Sequence, residues 1–233
     1  MTFRWRSTVA GIALALTACG GGGGGGGSSA DPVSPAPRTG RVTDSGAANT
    51  VVIEQADLPA PWKGAAHSAD PSEKARALQI ATCLGRPDPE TTRSAIVYGP
   101  DMTLDQAQVS SIATVLNTTD DAQADLAAIR KPSYGDCVLT SLKADLERQA
   151  PGATVADLAA APLDVEQFGD ASVGVRLTAN VVYGDHTDRL FVDLVYITKD
   201  RSTVSLTFFS FTQPFTPTLE QSLVSRVGHR IAA

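Results

Sequence analysis

The chain has 233 residues, with 19 Lys and Arg against 25 Asp and Glu, a formal net charge of −6. That balance argues against nucleic acid as a partner, because phosphate contact needs clustered Lys and Arg. It argues equally against adhesion to anionic lipid headgroups through a basic patch.

Arg4 and Arg6 precede a short apolar run, Val9 to Leu16, and small residues follow at Thr17 and Ala18. Positive start, apolar core and small residues in this order read as a secretory signal peptide. The run falls far short of the roughly 20 apolar residues of a spanning helix, and the glycines Gly20 to Gly27 that follow Cys19 do not extend it. Leu16-Thr17-Ala18-Cys19 resembles a bacterial lipobox, which implies removal of residues 1–18 and acylation of Cys19. A thiol is the nucleophile that can hold a thioether lipid, and stable anchoring takes more than a single acyl chain. Loss of Arg4 and Arg6, with no acid beside them, moves the charge from −6 to −8. The expected partner is therefore the membrane, reached through lipid on Cys19, with the chain on the extracytoplasmic face of the cell membrane.

Residues 19–50 are rich in Gly, Ser, Pro and Ala and poor in bulky apolar groups, so they are expected to be a disordered tether. A chain of this kind reaches about 30 Å. Residues 51–233 have the composition of a single globular domain without an internal repeat. Asp57-Leu58-Pro59-Ala60-Pro61-Trp62 opens it, and Trp62 either anchors that opening in the core or stacks on a ligand.

Residues 72–84 read as a helix, with Ser72 as N-cap and Gly85 as stop. Strands are expected at 94–99 and 107–117, then a helix at 120–130 whose first acids, Asp120 and Asp121, suit the helix dipole. Lys131-Pro132-Ser133-Tyr134-Gly135 breaks that helix, and another runs from Asp136 to Gln149 with Val138, Leu139, Leu142 and Leu146 on one face. Cys83 thus ends one helix and Cys137 begins another. An even pair in an exported chain suggests one disulfide, with two unbridged buried thiols as the alternative. Neither cysteine has a Cys or His partner at zinc-ligand spacing.

Residues 153–165 can add a strand. Val173, Val175, Leu177, Ala179 and Val181 alternate with polar residues or glycine, the period of a half-buried strand. Leu190 to Thr198 is apolar on both faces apart from Asp193, so it reads as a central strand covered on two sides. Thr203 to Phe211 is a third strand. Leu219, Leu223, Val224, Val227 and Ile231 give a terminal helix, capped at Thr216 with Pro217 first. The expected class is α+β, a mostly antiparallel sheet with helices packed on it.

No catalytic constellation, metal site or cofactor motif emerges. Gly169 to Gly174 has the spacing G-x-x-S-x-G and leads into a strand, whereas a nucleophile elbow needs G-x-S-x-G before a helix. The glycine run lacks the Lys and Ser/Thr of a phosphate loop. His186 sits between Asp185 and Asp188 in a polar turn typical of solvated surface. Asp193 stands out, because a buried carboxylate must be paired or hydrogen-bonded. Its expected partner is Arg176 or Arg201; the functional alternative is the mouth of a ligand pocket lined by Phe191, Phe209, Phe211 and Trp62.

The lipobox, the tether, the DLP..W opening, the paired helix cysteines and the FGDAS of Phe168 to Ser172 together resemble the secreted lipoproteins of actinobacteria. Among these are proteins similar to the extracellular sensor domain of PknH-type kinases. The resemblance spans roughly residues 51–233, implies a sensor-like domain without catalysis, and carries over no functional residue. The leading expectation is a surface lipoprotein whose domain binds an apolar small molecule or an envelope component. The alternatives are an envelope hydrolase with a non-local site and an interaction domain without a pocket. A hydrolase requires a Ser, Cys or carboxylate within reach of His67, His186 or His229 in a cleft; a binder requires an apolar cavity, expected around Phe191, Phe209 and Phe211.

Overall fold

The computed structural model describes residues 39–68 and 70–233. The signal peptide, the lipobox with Cys19 and the glycine run lie outside these residues. The chain runs through helix α1 (Thr39–Val51), a 3-10 turn (Gln55–Asp57), strand β1 (Lys63–Ala65), α2 (Pro71–Cys83), the single turn α3 (Pro89–Thr92), β2 (Arg93–Tyr98), β3 (Asp101–Leu104) and β4 (Ala107–Leu116). It continues with α4 (Thr119–Ile129), α5 (Ser133–Gln149), β5 (Ala153–Leu163), β6 (Ala171–Tyr183), β7 (His186–Lys199), β8 (Ser202–Phe211) and α6 (Pro217–Ala232). The class is α+β, with one antiparallel sheet in the order β1-β3-β4-β8-β7-β6-β5. Strands β2 and β3 share the other edge of β4, pairing with its C-terminal and N-terminal halves respectively.

Alternation along β7 explains why that segment is apolar throughout. Leu190, Val192, Leu194 and Tyr196 enter a core beneath α2 and α5, while Val195 and Ile197 enter a second core beneath α1 and α6. On β6 the apolar set of the alternation, Leu177, Ala179 and Val181, joins the α5 face, and its counterpart set, including Arg176, takes the α6 face through pairing with β7.

Several boundaries differ from the sequence reading, three of them with a clear physical cause. The stretch 39–50, read as tether, is helix α1. Its small side chains suit close packing, since Ala48, Val51 and Val52 are buried against the sheet. Asp44 fixes its orientation by accepting hydrogen bonds from Ser94 at 2.6 Å and Arg201 at 3.0 Å. The cap of α2 is Asp70 rather than Ser72: its carboxylate accepts the Ser72 backbone N–H at 2.8 Å, the geometry of an N-cap bonding the second helical residue. Helix α5 begins at Ser133, because Pro132 stands just ahead of it, where proline's missing N–H costs nothing.

The FGDAS segment is a latch between β6, the β7–β8 turn and α6. Phe168 fills the space beside Gly228, where any Cβ would overlap its ring. Gly169 adopts φ +58°, and a Cβ there would lie 2.6 Å from the Thr198 carbonyl oxygen, so both geometry and space select glycine. Asp170 accepts from the Asp200 N–H at 2.7 Å and Lys199 Nζ at 3.0 Å. Ser172 Oγ accepts the Phe168 N–H at 2.9 Å. The motif is thereby accounted for by structure.

Candidate functional site

A cavity of about 120 Å3 lies between the sheet and helices α2, α4 and α5. Its sheet side is Thr114 and Leu116 of β4, Thr203 and Ser205 of β8, and Tyr196 of β7. The register places these on one face, since Tyr196 pairs with Ser205 and Thr114 with Thr203. Ala77, Ile80, Ala81 and Leu84 of α2 form the apolar wall, Ile129 and Asp125 come from α4, and Tyr134 from the first turn of α5. Small residues at 77 and 81, one helical turn apart, are what leave the space.

Several polar side chains on this lining have protein partners. Arg86 donates to Asp125 Oδ1 through Nη2 at 2.6 Å and Nε at 3.2 Å. Burial raises the Asp125 carboxyl above its ordinary range, and Arg86 opposes that rise. Arg93 is paired with Glu90. Thr203 bonds Thr198 at 3.2 Å, and Ser205 donates to the Ile112 carbonyl at 3.4 Å. Deepest in the site, the hydroxyls of Tyr134 and Tyr196 hydrogen-bond each other across an edge-to-face ring pair with centroids 5.8 Å apart. Burial pushes the Tyr196 phenol well above its ordinary range and raises Tyr134 as well, so both remain protonated donors at neutral pH.

The wall is stapled in place. Cys83 at the end of α2 and Cys137 in α5 form a disulfide with Cα atoms 5.9 Å apart. Further along the same helix pair, buried Arg76 meets buried Asp145, which also accepts from Arg148 Nη2 at 2.5 Å. These ties keep α2 and α5 together while α2 stands off the sheet.

The residues singled out for a pocket do not assemble into one. Phe209 belongs to the α5 core and forms an edge-to-face pair with Phe211. Phe191 and Asp193 lie on the opposite face of β7, as their pairing with Ser210 and Phe208 requires. Period-two geometry, counted along β7 and β8 together, separates these pairs; counting along one strand at a time hides it. Asp193, only 1% exposed, is held bidentately by Arg176, with Nε to Oδ1 and Nη2 to Oδ2 both at 2.6 Å. Arg201, the other expected partner, reaches Asp44 instead. Glu220 of α6 lies beside this pair, and its carboxyl is pushed up to about 7, first by burial and then by the Asp193 charge. Trp62 is buried against Phe215, centroids 5.8 Å apart, which in turn packs on Phe208. Beside it, Asp57 pairs with Arg230 of α6. The DLP..W segment thus clamps the chain to α6. None of Asp193, Phe191, Phe209, Phe211 and Trp62 lines the cavity.

One histidine lies among acids and the other two lie on the surface. His67 Nδ1 lies 3.2 Å from Asp101 and Nε2 3.2 Å from Glu73, and its ring stacks on Tyr98 with centroids 4.4 Å apart. Carboxylates are therefore within reach. Asp101 and then Glu73 push the imidazole up to about 9 against the effect of burial, so it is a cation at neutral pH rather than a base. Both ring nitrogens face acids, and His67 is not among the residues lining the cavity. His186 and His229 are exposed. Among the described residues no group of three His, Cys, Asp or Glu side chains is gathered for a metal, and no helix is long and apolar enough to cross a membrane.

No protein-family profile and no curated protein sequence matches the chain. The chain is loosely similar to the extracellular domain of PknH from Mycobacterium tuberculosis, at 11% identity over 79% of this chain and 96% of that one, with a TM-score of 0.37. An uncharacterized protein from Mycobacterium smegmatis, described as an Rv0999 ortholog, aligns at 14% identity over 78% of this chain and 82% of its own, also with a TM-score of 0.37.

Proposed function

We propose that this chain is a lipid-anchored extracytoplasmic protein whose domain binds a small, largely apolar molecule in the cavity beneath α2, without catalysing its conversion. The observation that carries this reading is the cavity itself: apolar on its helix side, hydroxyl-bearing on its sheet side, with α2 and α5 disulfide-stapled at its border. Convergent polar groups in an apolar hollow are the usual form of a small-molecule site. Against catalysis stands the chemistry of the lining, where no serine or cysteine meets a histidine, and Asp125 is engaged by Arg86. The anchor follows from the order of Arg4, the apolar run and Leu16 to Cys19.

Native mass spectrometry of the protein purified from its host envelope tests the binding. The expected result is a non-covalent adduct that disappears on denaturation and is missing from an Ala81→Leu variant, whose added side chain fills the hollow. An adduct that persists in Ala81→Leu, or turnover of that molecule by the purified protein, sinks the reading. The anchor is tested separately by Cys19→Ser, which should release the protein from the membrane fraction.

A further inference from the structure

Tyr134 and Tyr196 are 1% and 4% exposed, and each lines the cavity. Their hydroxyls bond to one another, and among the described residues neither has another hydrogen-bond partner. Two hydroxyls carry two protons, and a bond between them uses one. Whichever oxygen accepts, its own O–H proton is left without a protein acceptor. An unsatisfied buried donor costs about 1–3 kcal/mol, a cost that a bound acceptor would remove. Because both phenols stay protonated well past neutral pH, neither can become the other's charged acceptor.

The geometry points to a specific ligand class for this cavity: an uncharged molecule, or the terminal group of one, with a ring-sized apolar body and one hydrogen-bond acceptor that receives the spare tyrosine proton. The inference rests on the cavity being the binding site and adds the ligand's polarity and direction. Size follows from the volume of about 120 Å3 in a hollow that opens to solvent: below the roughly 150 Å3 apolar cavity that encloses benzene, it takes the acceptor group and the near part of a ring whose far edge reaches the opening. Polarity follows from the tyrosine pair. Neutrality follows from the neighbouring charges, since Arg86 and Arg93 are matched by Asp125 and Glu90 and offer an anion no unpaired cation. The acceptor end goes innermost, at the tyrosines, and the apolar body lies along Ala77, Ile80 and Ala81.

Benzonitrile and phenylacetylene test this, because they share shape and differ in whether the end of the rod accepts a hydrogen bond. Titration by protein-observed NMR should give roughly fivefold to tenfold tighter binding for benzonitrile, the net worth of one such bond. Tyr134→Phe and Tyr196→Phe each leave one hydroxyl able to donate and should keep the preference. The double variant should bind both probes about equally. Equal binding by the wild-type protein, or a preference that survives in the double variant, overturns the inference while leaving the cavity a site. Binding of neither probe overturns both. Should the double variant fail to fold, the wild-type tyrosine hydroxyl resonances decide: benzonitrile must move one downfield, phenylacetylene must not, and identical shifts overturn the inference.

Discussion

On the face covered by α1 and α6, Val195, Ile197, Leu206, Phe208 and Leu223 close over the strands, and the inward carboxylate of Asp193 is met at both oxygens by Arg176. On the face covered by α2, α4 and α5, the same strands present Thr203, Ser205 and Tyr196, and the helices stand off to leave a cavity. On the first face the strands bury a full charge and balance it; on the second they bury neutral hydroxyls and leave one proton unbalanced, the buried ion pair there, Arg76 with Asp145, tying helix to helix. A buried charge without a partner would be prohibitive, so it belongs where packing is complete and the partner is fixed. An unmatched hydroxyl costs far less, which lets it persist beside a space that a ligand can fill. Under the proposed function, the two faces divide stability and binding between them.

The largest expected effect comes from removing the staple of the cavity face. Cys83→Ala with Cys137→Ala opens a loop with a sequence separation of 54, for which chain entropy gives a loss of about 4 kcal/mol. Guanidinium unfolding measures it. Amide exchange should rise in α2 well before α6; equal rises in both helices would erase the distinction between the faces.

Next is the charge on the packed face. Arg176→Met leaves Asp193 buried beside Glu220, and stability at pH 8 should fall by about 3 kcal/mol. The loss should shrink at pH 5, where the two carboxyls can share a proton. A loss of equal size at both pH values would mean that the pair is not coupled.

Glu220 gives the third effect. Its folded value, about 7, lies above its ordinary 4.5, so between those values the folded state holds more protons than the unfolded one. The Glu220 contribution to stability therefore falls as pH rises from about 4.5 to 7 and is level on either side of that window. Glu220→Gln should remove this decline and exceed the wild type by about 1–3 kcal/mol at pH 8. A wild-type-like slope in the variant, read from urea midpoints across the window, would show that Glu220 titrates normally.

Much of this architecture was legible in the sequence. Alternation along 173–181 and the two-sided run at 190–198 identified the centre of the sheet, and the spacing of Leu219 to Ile231 identified α6. A bridge between Cys83 and Cys137 was the leading expectation from two helix ends, and Arg176 was one of the two partners expected for a lone charge in an apolar strand, Asp193. Strands β1 and β3 were missed because three or four residues carry no readable period, and α1 because its burial depends on alanine and valine in a segment whose neighbours are glycine and proline. The cavity was illegible for a different reason: it is made by absent volume at Ala77 and Ala81, and alanine in a helix looks the same whether it faces a neighbour or a void. The tyrosine pair lies 62 residues apart in sequence, a separation no local pattern reports.

That last point supplies the smallest and most discriminating effect, because adjacent positions of comparable chemistry face different surroundings. Ala113 of β4 is 1% exposed within the packed core, while its neighbour Thr114 lines the cavity, as does Ala81 of α2. Ala113→Leu inserts a branched chain where Val204 and the core under α1 leave no room, and overpacking of this kind costs about 1–3 kcal/mol. Ala81→Leu inserts the same atoms into existing space, gains the dispersion contacts that the void withholds, and should leave stability within about 1 kcal/mol of the wild type. Thermal unfolding of the two variants side by side measures the contrast. If Ala81→Leu proves the more damaging, the space beside α2 is not available to a ligand of that size, and the division of labour between the faces falls with it.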